Sequence, residues 1–301
     1  MTEEKNEGGR TTRLLCGGCG HEIAPSDGLL SLHPVLPVAA DSGIDEKLNE
    51  YYSKSEEKHF WFKARKDFIS TICDMYIKHT DKIIEIGAAT GYITRHLISE
   101  GYKDISIGDL NSDSFKYSGD DGIINRYQFD LTRAPFVGHF DAVFMFDVLE
   151  HIDDAELSVQ KACEMLTPEG KIVITVPAHM WLWSKHDTLV SHKKRYELEQ
   201  VVQLLRRNGF KILKATAFFA SILPLLYLRK YVDRDTGRVS KADVAYRFKI
   251  NPVVNRLLEK MLHVECKLLG GVSLKYGGSL IVVGEKLNQA GAQVFNRQVG
   301  C

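Results

Sequence analysis

Residues 83–91 read Ile83-Ile-Glu-Ile-Gly-Ala-Ala-Thr-Gly91, an apolar run that stops at a short segment bounded by glycines. Lys82 to Ile86 has the character of a buried strand, and Gly91 to Glu100 has the spacing of a helix. A glycine-bounded turn between strand and helix lets the chain reverse tightly and lets a ligand approach the backbone with no Cβ in the way. The spacing is G-x-x-x-G, not the G-x-G-x-x-G of dinucleotide sites. It suits a ligand with no pyrophosphate for the helix N-terminus to hold.

Outward from this turn, strand and helix patterns alternate. Ile105 to Gly108 predicts a second strand ending in Asp109, and Arg126 to Phe129 a third ending in Asp130. Asp141 to Phe146 predicts a fourth. Asp153 to Leu166 reads as a helix with Asp153 and Glu156 at capping-box spacing. Pro168-Glu169-Gly170 turns into Lys171 to Val176, a fifth strand, and Glu197 to Asn208 is an amphipathic helix stopped by Gly209. Phe210 to Thr216 and Ser279 to Glu285 complete seven strands. This order predicts an α/β fold with a doubly wound, mainly parallel sheet, helices on both faces and the ligand at the strands' C-terminal ends. There, Asp109 can accept hydrogen bonds from both ribose hydroxyls, and Asp130 is placed to reach an adenine amino group.

The rest of the chain divides around this unit. Residues 1–44 are expected to be a polar tail carrying the knuckle Cys16-Gly-Gly-Cys19, residues 45–80 cap helices, and residues 81–287 the main domain with a helical insert at 217–272. Residues 288–301 are expected to be a second tail. With Lys+Arg and Asp+Glu at 39 each, no global field steers the molecule to nucleic acid or to an anionic membrane. Met1 to Arg13 lacks the apolar segment of a secretory signal, and the most apolar run, Ala215 to Leu228, is broken by Pro224 and falls short of the roughly 20 residues of a spanning helix. Six cysteines, four of them scattered, form no disulfide pattern. A cytoplasmic protein is expected, with peripheral membrane contact through the 217–272 insert as an open alternative.

From about Tyr51 to Lys286 the chain resembles class I S-adenosylmethionine-dependent methyltransferases. Three stretches carry the resemblance: the 83–91 turn, Phe140-Asp-Ala-Val-Phe-Met-Phe-Asp-Val-Leu-Glu-His-Ile152, and Leu166-Thr-Pro-Glu-Gly-Lys-Ile-Val-Ile-Thr-Val-Pro177. It implies a Rossmann-like sheet with an antiparallel last strand and S-adenosylmethionine as cofactor. It also implies that Glu85 supports the loop, that Gly87, Ala88, Ala89 and Gly91 lie against the methionine part, and that Asp109 with Leu110 holds the ribose. Asp130 with Leu131 would take the adenine, and the Phe146-Asp147 backbone the sulfonium side. Arg65, in the aromatic segment His59-Phe-Trp-Phe-Lys-Ala-Arg65, would meet the donor carboxylate. Ala88-Ala89 departs mildly from the Gly or Cys of many relatives.

On the acceptor side, Asp147-Val-Leu-Glu150-His151 resembles the metal-binding E-x-x-E-H of ubiquinone-pathway O-methyltransferases, with Asp147 in place of the first Glu. The reading adopted is metal-free, with Glu150 and His151 bracing the loop. Pro177 to Tyr196 resembles a bacterial methyltransferase group with a P-A-x-x-x-L-W-S-x-x-D…H-x-x-R-Y pattern. Its density of aromatic, His and basic residues points to an acceptor pocket. His186 or His192 would be the general base, since imidazole titrates near working pH. Arg195 would orient an anionic group, and Trp183 and Tyr196 would line the pocket. The contrary reading is that the tryptophans pack the core edge and that Arg195 pairs with Asp187. Cys16 and Cys19 look like half of a zinc ribbon without its second pair, so no metal is assigned to them. The acceptor is expected to be a small-molecule, glycan- or lipid-linked group. A non-catalytic S-adenosylmethionine-binding scaffold and an NAD-dependent oxidoreductase are the alternatives from other classes.

Overall fold

The structure, a computed structural model, describes residues 2–15, 20–32, 46–119, 122–232, 250–269 and 271–288. Its centre is strand β8 (Phe140–Phe146), buried on both faces, as a strand inside a parallel sheet must be. The side chains alternate in two layers. Val143 and Met145 enter one apolar cluster; Ala142, Phe144 and Phe146 enter the other. The same two-residue period splits β5 (Lys82–Ile86) and β11 (Ser279–Lys286) between the layers.

The remaining strands of this sheet are β4 (Leu29–Ser31), β6 (Asp104–Asp109), β7 (Arg126–Gln128), β9 (Leu166–Pro177) and β10 (Phe210–Phe218). Their order is β10-β11-β9-β8-β5-β6-β7-β4. Only β11 runs against its neighbours, pairing antiparallel with both β9 and β10, as the resemblance implied for the last strand. Helices α4 (Ala155–Met165) and α6 (Leu198–Arg207) cover one face. Helices α2 (Phe60–Tyr76), α3 (Tyr92–Ser99) and α8 (Pro252–Leu269) cover the other. Helices α1 (Glu46–Ser55), α5 (Lys185–Leu189) and α7 (Leu223–Val232) complete the described set. None of the described helices is long and apolar enough to cross a membrane.

Residues 45–80 hold two helices, α1 and α2, with His59 capping the second through a 3.2 Å bond from the Trp61 N–H. Two expectations need correction. The cap of α4 is Asp154, which accepts from the Leu157 N–H at 2.9 Å, so Asp153 makes no capping box. The supposed polar tail is folded. β1 (Thr2–Lys5), β2 (Thr11–Leu15) and β3 (Glu22–Ile23) form a small antiparallel sheet, and β4 adds a parallel edge strand to β7. Cys16 and Cys19 lie outside the described residues, as do residues 233–249 of the insert and 289–301 of the C-terminal tail.

Glu3 pins this N-terminal sheet beneath the main one. Its carboxylate accepts from Lys82 Nζ at 2.8 Å and Tyr127 Oη at 2.9 Å, and meets His139 Nε2 at 2.9 Å. Burial alone would raise its pKa, but the hydrogen bonds and charges of His139 and Lys82 win and hold it well below the usual carboxylate range. A folded pKa depressed below the ordinary 4.5 gives stability that is present above that pH and lost as pH falls below it. Glu3→Ala should therefore cost about 3–5 kcal/mol in urea unfolding at pH 7, because it strands buried partners. The gap from the parent should narrow at pH 4 and below; equal midpoints at pH 7 would refute the pin.

Candidate functional site

At the C-terminal end of β5 the chain enters the 87–91 turn with left-handed backbone at Gly87 (φ 68°), Ala89 (φ 47°) and Gly91 (φ 69°). A Cβ on Gly87 would lie 2.7 Å from Val148 Cγ2, so glycine is required there both by conformation and by space. The Gly87 N–H donates to Gly108 O at 2.7 Å, tying the turn to β6. Glu85 is buried beneath it and accepts from the Thr94 hydroxyl on α3; burial pushes its carboxyl up to about 7. A group that the sequence did not single out also holds the turn. Buried Glu56, between α1 and α2, accepts from Thr90 Oγ1 at 2.5 Å. Its sequence context offers only a glutamate near aromatic residues, which carries no signal.

Asp109 closes β6 beside this turn. Burial pushes its carboxyl up to about 6, against the N–H groups of Asn111, Ala89 and Leu110 and the hydroxyl of Ser114, which favour the charged form. The Asn111 N–H donates to it at 2.9 Å. Leu110 is exposed next to it. Asp130 caps the short helical turn Leu131–Arg133, accepting from the Thr132 N–H at 2.9 Å and from its hydroxyl at 2.8 Å. Leu131 is buried behind it.

Past β8, Asp147 also has positive φ (57°) and is clamped on both oxygens. Thr175 Oγ1 donates at 3.0 Å and Arg65 Nε at 2.7 Å. Arg65, expected to face a donor carboxylate, thus binds α2 to this loop, and Asp147 is already engaged by protein groups. The structure does not group Asp147 with Glu150 and His151, the three residues whose spacing resembles a metal set. Glu150, His151 and His192 bring their ligand-type atoms within 4.8 Å of one another, without Asp147. Glu150 is fully buried, with neither oxygen bonded to another residue among those described. Burial, then the nearby Asp147 charge, pushes its carboxyl well above the usual range. Burial, then His192, lowers His151 to about 4. At neutral pH both groups are held uncharged, which removes the cost of an unpaired buried charge.

The 177–196 connection is organised by one carboxylate. Asp187, fully buried in α5, accepts from the Ser184 N–H at 2.8 Å, His192 Nδ1 at 2.8 Å, and Arg195 Nε and Nη2 at 2.8 and 3.0 Å. Desolvation opposes its charge, but His192 and Arg195 hold it well below the usual range. His192 turns its other nitrogen inward, with Nε2 3.7 Å from Glu150 Oε1. His186 sits 6.5 Å from His192, ring to ring. Arg195, expected to orient an anionic acceptor, is committed to Asp187 and to Ala178 O at 3.1 Å. Tyr196 is buried with its hydroxyl on Leu149 O, and is core rather than lining. Trp183 is half-buried.

His179, which sequence reasoning did not single out, is buried at the end of β9 with φ 59°. Its Nδ1 meets Glu197 Oε2 at 2.6 Å, and its ring stacks on Trp181 at 5.1 Å. A histidine two residues past a strand end was visible; its strain and its carboxylate partner were not.

Compared with known protein families, residues 38–215 match the family described as Methyltransferase domain. The chain belongs to this methyltransferase family. No curated protein sequence matches it. Among solved structures it is similar to phosphoethanolamine N-methyltransferase 2 of Haemonchus contortus in complex with S-adenosyl-L-methionine, at 17% identity and TM-score 0.55, covering 84% of this chain and 61% of that one. It is also similar to a chain of the complex between the Haloferax volcanii Trm112 methyltransferase activator and a methyltransferase, at 15% identity and TM-score 0.54, covering 82% and 99%. A SAM-dependent methyltransferase from Thermotoga maritima matches at 13% identity and TM-score 0.52, covering 81% and 99%. At these identities the likeness is one of fold, the Rossmann-like methyltransferase architecture.

The buried Asp187 hub of this methyltransferase makes a direct prediction. Asp187→Asn leaves the Arg195 charge without its counter-charge and should destabilise the fold by about 3–5 kcal/mol in urea unfolding. A loss under about 1 kcal/mol would mean that Arg195 finds solvent, and that the hub does not organise the segment.

Proposed function

We propose that this methyltransferase takes its methyl group from S-adenosylmethionine and passes it to a small-molecule, glycan- or lipid-linked acceptor held against the 177–196 connection. The observation that carries this reading is the pairing of the left-handed Gly87–Gly91 turn with the Asp109 carboxylate at adjacent strand ends. One offers open backbone, the other an acceptor for two vicinal hydroxyls. Asp130 and Leu131 stand at the next strand end, where an adenine would lie. Gly87, Ala88, Ala89 and Gly91 would face the methionine end. Arg65 contributes through its grip on Asp147, shaping the sulfonium side with the Phe146-Asp147 backbone.

When bound, the donor supplies a methyl already activated on a sulfonium, and in-line attack breaks the carbon–sulfur bond to leave a neutral thioether. The protein's part is to align the acceptor and take its proton. His192 fits that task better than His186, because Asp187 fixes its Nδ1 and stabilises the imidazolium formed when Nε2 accepts the proton. Arg195 is then a positioning residue that holds Asp187, and Trp183 flanks the pocket. Glu150 and His151 stay neutral beside it, with no metal required.

Titration calorimetry tests the donor site. Asp109→Ala should weaken S-adenosylmethionine binding at least about tenfold, the worth of a charge-assisted hydrogen bond or two. Because burial raises Asp109 to about 6, and ribose hydroxyls donate to its charged form, parent affinity should fall between pH 7 and pH 5. In Asp109→Asn that dependence should vanish. Binding of NAD in place of S-adenosylmethionine would overturn the reading.

His192→Ala should lower kcat about 10²–10⁴-fold with donor affinity unchanged, and His186→Ala should lower it less. A fully active His192→Ala enzyme would remove the base assignment. Donor binding with no turnover of any acceptor pool would favour the scaffold reading.

A further inference from the structure

Helix α8 has two apolar faces where a helix packed on a domain needs one. Leu258, Leu262, Cys266 and Leu269 are buried against α2 and the sheet. On another side Val253, Leu257, Val264 and Leu268 stand 77, 65, 59 and 62% exposed, with Met261 between them, at steps of three and four residues. The stripe therefore runs the length of the helix. At its foot a shallow groove lies between Met261, Val264 and Leu268 and the start of the α7 segment at Ala220 and Ser221. Leu225 and Leu228 of α7 are exposed as well, and so are Val272 and Tyr276 beyond α8.

Charge decides what such a face fits. Arg256, Lys260, His263 and Lys267 form an exposed row along one edge of the stripe, at steps of four, three and four residues. Lys275 adds to it beyond the helix. The two acids of α8 do not offset this row. Glu259 is engaged by Lys63, and Glu265 is buried, accepting from the Ala220 and Ser221 N–H groups at 2.8 Å. A stripe of Leu, Val and Met edged by Lys and Arg matches the boundary between acyl chains and anionic headgroups, where basic side chains reach outward from an embedded apolar face. An isologous contact with a second copy would bring the same positive row and no acidic counterpart.

We infer that α8, with the adjoining start of α7, is a membrane-docking face that lies in the interfacial plane of an anionic bilayer without crossing it. The face borders the acceptor side. Tyr227 of α7 meets Trp181 at 5.8 Å, and Tyr276 meets His179 at 5.5 Å. Docking would hold the mouth of the 177–196 connection near the lipid surface. The inference stands on the exposed face and its charge, independently of which donor or acceptor the site takes.

Co-sedimentation of the full chain with vesicles provides the test. The parent should bind vesicles of equal parts phosphatidylglycerol and phosphatidylcholine, bind pure phosphatidylcholine at least about tenfold more weakly, and be released by high salt. Leu257→Glu with Leu268→Glu should lower the partition about tenfold or more. Lys260→Glu with Lys267→Glu should lower it about tenfold, with the salt dependence reduced. All four positions are exposed, so circular dichroism and thermal melting should match the parent. The parent's own lipid and salt dependence reads the proposal without any variant. Absence of binding to anionic vesicles, or binding indifferent to both pairs, would overturn it. So would a dimer by light scattering that the leucine pair converts to monomer without any vesicle binding, which would assign the face to a second copy.

Discussion

The left-handed backbone at Gly87 is the constraint on which the site depends. It points the turn away from the helix path and brings it under Val148, at a distance that no Cβ would survive. By the same geometry, the Gly87 N–H reaches β6, and the Ala89 N–H lies close enough to favour the charged form of Asp109. One five-residue turn thereby lies against three strand ends, those of β5, β6 and β8, whose register the ladders themselves set. Glu56 secures it through Thr90, and Glu85 ties the strand before it to the following helix through Thr94. A ligand seated on this turn meets a preorganised surface, and the energy of ordering it is already spent in folding.

The sheet and the turn were legible in the sequence because both depend on local pattern. The strand periodicity of β5, β8 and β9 and the glycine spacing are read within a dozen residues. The same pattern puts Asp109 at the end of β6, where it stands, and Asp130 at the end of a strand that in fact stops two residues earlier, at Gln128. What stayed hidden depends on pairs far apart in the chain. β1 is a short polar strand, Thr-Glu-Glu-Lys, that looks like a tail until Lys82, Tyr127 and His139 gather around Glu3. The Arg65–Asp147 pair spans α2 and β8, so neither residue predicts the other's partner.

The 177–196 connection falls between these cases. Its residues are close in sequence, yet the same set supports two arrangements: Arg195 turned out to a ligand, or in to Asp187. Electrostatics selects the second. With Arg195 turned out, the buried carboxylate would keep His192 and the Ser184 N–H and hydroxyl but lose the bidentate guanidinium that meets both its oxygens with full positive charge. That choice moves the anion-binding role away from Arg195 and leaves His192 oriented by a carboxylate on one nitrogen.

The two faces of α8 differ in what they pack against. Its buried side completes the layer that α2 and α3 form against the sheet, and it would be apolar whatever the protein does. Its exposed stripe adds nothing to that layer. Several large aliphatic side chains left in water cost solubility, and folding stability gives no return for them. The row of Arg256, Lys260 and Lys267 runs parallel to that stripe over the whole helix, so the two features share one orientation toward a flat partner. A partner that is flat, apolar within and negatively charged at its surface answers both, and the connection carrying Trp181 and His192 lies on the side of the domain where such a partner would rest.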